Sequence, residues 1–268
     1  MLKADLKRFI FSNEMIVAII ITAIGLATGI SFIITAVFSF EYTSLIHIYN
    51  FCIFTGLVCL FFPIIAAIPI TNTLITEEES GFKNMILTRT SRKKYIISRI
   101  VSVSITGFLC LFLGSLLFLI IFYICGVRCV ASPGHDVEAF LIDSTYWKLI
   151  ENDKEIIALL LMITVLSVSG IGRSVITLAL CHIVKNKYIV LILPFVLERI
   201  LVLIFDPLES VSKVFFYLNP VVWDAFGTEM INSTCGGLLY VSCVQLCLAA
   251  IGTVAYMACI KRQHEGGH

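Results

Sequence analysis

Apolar residues run through this chain in long stretches, and polar residues are gathered into short segments between them. Six stretches, residues 15–38, 45–71, 100–125, 156–184, 188–205 and 238–260, come near or exceed the roughly 20 residues that an α-helix needs to cross a bilayer. Each predicts a membrane-spanning helix. Pro63 and Pro69 predict a kink in the second, because proline removes a backbone donor. Residues 1–13 follow another pattern: Leu2, Leu6, Phe9 and Ile10 recur at helical spacing, with Lys3, Lys7 and Arg8 elsewhere on the turn. That is an amphipathic helix suited to the membrane interface. The stretch behind it is longer than the about 7–15 residues of a signal-peptide core, so it is expected to be retained as a first span. A weaker stretch, 215–226, is interrupted by Asn219, Pro220 and Asp224, and reads as a short helix pair or re-entrant element.

One segment breaks the regime. Residues 75–99 read ITEEESGFKNMILTRTSRKKYIISR: three carboxylates (Glu77, Glu78, Glu79), Gly81, a short apolar group (Phe82, Met85, Ile86, Leu87), then Arg89, Arg92, Lys93, Lys94 and Arg99. Ionised side chains cost several kcal/mol each in hydrocarbon. The segment is therefore expected outside the bilayer, with internal structure, between the second and third spans.

Composition agrees with the pattern. Of 268 residues, 59% are apolar and 14% charged, against roughly 25% charged in soluble domains; the mean hydropathy is +1.01. The expected fold class is an all-α polytopic membrane protein, one transmembrane domain with an N-terminal interfacial helix and six spans. A net charge of +1 offers no basic face for nucleic acid. The ten cysteines include no CxxC pair, so no zinc or redox motif is indicated. Most lie in apolar runs as small hydrophobes, while Cys129 and Cys235 would share an outer compartment in which a bridge could form.

Charge orients the spans. With the N-terminus in the cytosol, the inner segments hold Lys3, Lys7, Arg8, Lys83, Arg89, Arg92, Lys93, Lys94, Arg99, Lys185, Lys187, Lys261 and Arg262. The outer loops, 126–155 and 206–237, hold only Arg128, Lys148, Lys154 and Lys213 among basic residues and collect acids instead. This is a positive-inside distribution with both termini cytosolic. The loop 126–155 is expected to pack onto the membrane domain through Phe140, Leu141, Tyr146, Trp147 and Leu149.

Candidate chemistry is sparse. The terminal HEGGH matches HExxH through His264, Glu265 and His268, but that motif needs a helix to align both histidines. Two glycines fill the spacer here, and a solvated tail is the better account. No GxSxG or GxxxxGK[ST] motif occurs, so neither serine hydrolysis nor ATP binding is indicated, and the chain does not read as an enzyme. The sequon Asn232-Ser233-Thr234 reads as coincidence. Arg173, Glu198 and Arg199 are charges inside spans, where ionisable residues are functional candidates by default. Arg173 precedes Asn186 by 13 residues and Glu198 follows it by 12. An antiparallel hairpin turning there brings the two to one depth, as a polar pair serving either as glue between helices or as an element of a transport path.

With its interfacial N-terminal helix, six spans and charged segment between spans two and three, the chain resembles the membrane subunits of type-2 ABC exporters. The resemblance in motif rests on Glu77, Glu78, Glu79 and Gly81, the short helix expected at 82–87, and Ser91-Arg92-Lys93-Lys94-Tyr95 leading into span three. It is nearest to the small bacterial permeases of bacteriocin and lantibiotic export or self-immunity, and it lacks the long external domain of larger drug exporters. The resemblance implies a plasma-membrane permease paired with a second permease subunit, identical or not, and with separate cytosolic ATPases that hold the ATP and magnesium. It also implies that the ATPase docks on Glu77, Glu78, Glu79, Gly81, Phe82, Met85, Ile86, Arg89 and Arg92. The cargo would be an antimicrobial peptide, drug or other amphipathic molecule. The alternative is a secondary transporter or channel that needs no ATPase.

Overall fold

The fold is known from a computed structural model, which describes residues 1–32, 44–127, 149, 152, 154–210, 212–220 and 234–265. Its helices are α1 (Leu2–Ile10), α2 (Asn13–Ala27), α3 (Leu45–Thr55), α4 (Leu57–Glu79), α5 (Phe82–Arg89), α6 (Arg92–Ile124), α7 (Glu155–Ile183), α8 (Lys187–Phe205), α9 (Lys213–Leu218) and α10 (Thr234–Glu265). Among the described residues six helices are long and apolar enough to cross a membrane: α2 with its 3₁₀ extension, α4, α6, α7, α8 and α10.

Ser12 sets the first joint. Its hydroxyl donates to the Phe9 carbonyl at 2.9 Å, closing α1, and accepts the Met15 N–H at 3.1 Å, opening α2. The second joint differs from the expectation. The apolar stretch 45–71 is not one helix: it breaks at Gly56, whose backbone is extended, into α3 and α4. Gly56 has no side chain to cap α4, so the first amide, Leu57 N–H, donates to Thr28 Oγ1 at 2.9 Å. A Cβ at Gly56 would meet the Gly25 carbonyl oxygen at 2.7 Å, so only glycine lets the break sit against α2. The span that follows is α4, which continues beyond residue 71 to Glu79 and takes in the first part of the charged segment.

Proline bends the usual bonding inside α4 without ending it. Pro69 cannot donate to the Ile65 carbonyl; Cys110 Sγ of α6 donates there instead, at 3.8 Å. α4 ends because Gly81 takes the left-handed conformation (φ 67°), which reverses the chain into α5.

Helix contacts give each span its direction. Gly172 of α7 lies against Gln245 and Leu248 of α10, and Gly252 of α10 against Val175 and Ile176 of α7, so α7 and α10 run parallel. His182 near the end of α7 meets Glu78 at the end of α4 (4.0 Å) and the Tyr256 ring on α10 (centroids 4.8 Å apart). Asp5 of α1 and Ser98 of α6 meet at the same end. That end therefore gathers α1, the last turn of α4, α5, the first turns of α6 and the last turns of α7 and α10. Beyond the other end of α8, Asn219 Nδ2 donates to the Asp206 and Glu209 carboxylates, both at 2.6 Å.

The main core lies among α2, α3, α4, α6 and α7, and a smaller one packs at the gathered end around Phe9, Tyr95, Val190 and Tyr256. Large apolar side chains such as Ile124, Leu203 and Leu246 point outward, as lipid-facing surfaces require. α6 and α7 approach most closely at glycines. A Cβ on Gly107 would come within 2.5 Å of the Gly170 carbonyl oxygen and 2.6 Å of Ser174 Oγ. Small residues permit this in membranes, where packing substitutes for the hydrophobic effect between helices. Leu149 packs against the main core; Phe140, Leu141, Tyr146 and Trp147, together with residues 33–38, 221–226, Asn232, Ser233, Cys129 and His268, lie outside the described residues, as do the side chains of Cys235, Thr234, His264 and Glu265.

Gly107→Leu is expected to destabilise the purified chain by at least the about 1–3 kcal/mol typical of overpacking. Outward-facing Ile120→Leu should leave the thermal unfolding midpoint unchanged. Equal midpoints for both would show that the close approach does not hold α6 to α7.

Candidate functional site

The charged segment folds into the gathered end of the bundle. It is helical through most of its length: the end of α4, all of α5 and the start of α6. The three adjacent carboxylates point in different directions, because successive helical residues are turned by about 100°. Glu77 is buried, Glu78 half-buried and Glu79 exposed.

Glu77 lies one helical stripe below Ile70 and Leu74, both buried, and so continues the inward face of α4. Its two oxygens are shared. Oε1 accepts from Arg8 Nη1 of α1 and Oε2 from Arg99 Nη2 of α6, both in close ion-paired hydrogen bonds. Arg99 is fully buried. Its other terminal nitrogen, Nη1, stands 3.5 Å from Asp5 Oδ1, and Asp5 Oδ2 accepts from Ser98 Oγ at 2.6 Å. Phe9 and Tyr95 place their rings 5.7 and 5.4 Å from the Arg99 guanidinium carbon. Burial, and then the neighbouring Arg99 charge, lower the Arg8 pKa from its ordinary value. The outcome is a four-charge lock, two carboxylates and two guanidiniums, that ties α1, α4 and α6 together.

Both oxygens of Glu77, which the resemblance sets with Glu78 and Glu79 for docking, are engaged inside the chain. On α1 the inward positions are Asp5 and Phe9, while Leu2 is exposed. Asp5 and Arg99 were not singled out from sequence for this site. The signal was present: Asp5 is four residues before Phe9, and Arg99 follows Tyr95 by four and precedes Val103 by four, so each stands on an inward stripe.

α5 lies beside the lock, between the ends of α4 and α6. Ile86 packs against the smaller core, Met85 is 58% exposed, and Arg89 is exposed. Arg92, at the start of α6, is half-buried. Phe82 opens α5, and its side chain lies outside the described residues. Between α1 and α5 opens a cleft of about 720 Å3, lined by Met1, Ala4, Arg8, Met85 and Arg89 among others. Its lining combines apolar residues with Arg8, Arg89 and Asp5.

A second buried charge site lies deeper. α7 and α8 form a hairpin through residues 184–186, and Arg173 and Glu198 meet across it: Nε to Oε1 at 2.7 Å and Nη2 to Oε2 at 3.1 Å. Two parallel bonds of this kind make a strong, directional contact. Arg173 Nη1 also donates to the Ser169 carbonyl at 3.2 Å, and the Phe62 ring of α4 lies 5.7 Å away. Glu198 reaches this position because α8 buries only a single stripe, Val190, Pro194 and Glu198. Arg199 stacks over Phe195 at 5.7 Å and is not part of the pair. Among the described residues no group of three or more His, Cys, Asp or Glu is placed to hold a metal ion.

Comparison with protein-family models, with curated proteins and with solved structures finds no match to this chain.

Two expectations follow. Arg99→Met leaves two buried carboxylates with one guanidinium, and the penalty for breaking such a pair is about 3–5 kcal/mol. The double variant Glu77→Leu, Arg99→Met should recover part of that loss in thermal unfolding; additive losses would mean that the two residues act separately. For the deeper pair, Arg173→Glu with Glu198→Arg should restore much of the stability and expression lost by either single change. A swap as damaged as the singles would show that position, and not pairing, matters there.

Proposed function

We propose that this chain is the permease subunit of an ATP-binding cassette exporter in a bacterial plasma membrane. Two six-span subunits would form the translocation path, driven by separate cytosolic ATPases that bind ATP and magnesium. The cargo class that suits the aliphatic and aromatic spans is amphipathic: an antimicrobial peptide, a drug or a similar molecule.

The observation that carries the reading is mechanical. α5 is a short helix with exposed Met85 and Arg89, and it is not slung on flexible loops. It joins the ends of two spans, α4 and α6, which are cross-linked beside it through Glu77 and Arg99. A push on α5 is therefore delivered to both spans at once and also to α1 through Arg8 and Asp5. An ordinary connector would absorb such a push in backbone rotation. Exposed Glu79, Met85 and Arg89 supply both charge signs and an apolar contact for a soluble partner. The basic residues at this end, including Lys93, Lys94, Lys185 and Lys187, support its placement in the cytosol, with both termini on that side and α1 along the interface. The absence of a phosphate-binding loop from the sequence fits an energy source on another polypeptide.

Glu79→Lys combined with Arg89→Glu changes only exposed groups, so insertion and the unfolding midpoint should stay native. Co-purification of an ATPase with the tagged chain from its host should fall at least tenfold, and export should be lost with it. Recovery of the native chain without any ATPase, together with transport that survives ATP depletion, would instead make it a secondary transporter or channel.

A further inference from the structure

α8 touches the bundle along one stripe, and α10 packs along α7 instead of along α8. The two helices stand apart on α7, and a cleft of about 330 Å3 lies between them. Its walls are aliphatic: Ile176 and Leu180 of α7, Leu197 and Leu201 of α8, Leu248 and Ile251 of α10. Arg173 and Glu198 close one end, and Ile183 stands at the other. Ten residues of α7 separate Ile183 from Arg173, a rise of about 15 Å at ~1.5 Å per residue. That is half of a hydrocarbon core roughly 30 Å thick. The cleft thus has the length of one leaflet.

Exposed cations follow Ile183 in the chain. Lys185 and Lys187 lie in and just after the turn that follows Ile183, and both are exposed. The Lys187 ammonium lies 5.3 Å over the ring of Tyr188, itself 68% exposed. A lysine and a tyrosine together at a helix end are the groups that settle at headgroup level. Basic groups beside a gap between spanning helices are suited to anionic lipid.

The geometry points to a binding site for one anionic phospholipid, with an acyl chain in the α7–α8–α10 cleft and its headgroup phosphate against Lys185 and Lys187. The chain reaches from the mouth to the level of the ion pair, where Arg173 and Glu198 are already satisfied by each other and form a floor. A zwitterionic lipid fits the same walls, but it carries no net charge to offset the two ammonium groups, which selects the anionic lipid. The bound lipid fills the gap that keeps α8 from α10 and would hold the α7–α8 hairpin at a fixed spacing. The site requires only that these helices cross a bilayer. It stands whether or not an ATPase docks on α5.

The test is native mass spectrometry of the full-length chain released from micelles containing phosphatidylglycerol or phosphatidylcholine with identical acyl chains. One phosphatidylglycerol should be retained at least tenfold better than phosphatidylcholine. Lys185→Gln with Lys187→Gln, both at exposed positions, should lower phosphatidylglycerol retention roughly tenfold or more, given the attraction of each basic residue for an anionic surface. Leu201→Trp, which fills the cleft, should lower retention of both lipids. Equal retention of the two lipids by the native chain would overturn the proposal, as would undiminished phosphatidylglycerol binding in the lysine variant. So would a disulfide between two copies carrying Leu201→Cys in bilayers, because a second copy would then occupy the cleft.

Discussion

One carboxylate organises the end of this bundle where the spans meet water. Glu77 has two oxygens, and each is claimed by a guanidinium from a different helix, Arg8 of α1 and Arg99 of α6. Without it α1 would be tied to the bundle through Asp5 and Phe9, and α4 and α6 would meet at this level through apolar packing of Leu74 and Ile75 near Tyr95 and through α5. The aromatic rings of Phe9 and Tyr95 keep water from Arg99 and so strengthen the attraction, but they also raise the cost of leaving it alone. Such a lock is rigid for a physical reason. A guanidinium and a carboxylate that bond in defined directions tolerate less rotation than apolar packing does.

The remaining contacts are of another kind. Gly107 against Gly170, Gly172 of α7 against α10, and Gly252 of α10 against α7 allow backbones to approach without polar bonds. They provide surfaces along which helices can be close yet shift. Polar bonds concentrate at the gathered end and at the Arg173–Glu198 pair, with small-residue packing between them. Glu77 ties α1, α4 and α6 by charge, and Arg173 ties α7 to α8, while Phe61 of α4 stacks on Phe195 of α8 between them.

The spans were legible in the sequence because burial in lipid demands unbroken apolar runs, and five of the six begin or end within a few residues of the expected positions. The second differs: residues 45–71 hold the break at Gly56. Apolar composition measures where lipid is tolerated, not where a helix stops, and the break at Gly56 depends on a cap from Thr28, far away in sequence. At its other end α4 runs on past the apolar residues to Glu79 because the chain reverses only at Gly81. The depth match of Arg173 and Glu198 could be counted from the tight turn at 184–186, since two straight helices leaving one turn rise at the same rate. The lock could not be counted in that way. Its members come from three helices whose contacts depend on packing, and Glu77 differs from its neighbours Glu78 and Glu79 only by standing on the inward stripe with Ile70 and Leu74.

Neutrality explains why these charges are found where they are. The lock sets Asp5 and Glu77 against Arg8 and Arg99, and the deeper pair sets Glu198 against Arg173, so each set is neutral, with Arg199 beside the deeper pair over the Phe195 ring. An uncompensated charge in a medium of low dielectric costs several kcal/mol even after relaxation, whereas a balanced set with directed hydrogen bonds approaches break-even. The two levels differ in how balance is reached. At the gathered end, where Arg8 still touches water, four charges from three helices share the task, and the half-exposed member can adjust. At Arg173, with Phe62 above and aliphatic walls around, the balance rests on one bidentate pair. A motion that separated α7 from α8 would have to expose both charges to hydrocarbon together. Separating α7 from α8 is therefore costlier than separating helices that meet only through glycine-lined and apolar contacts.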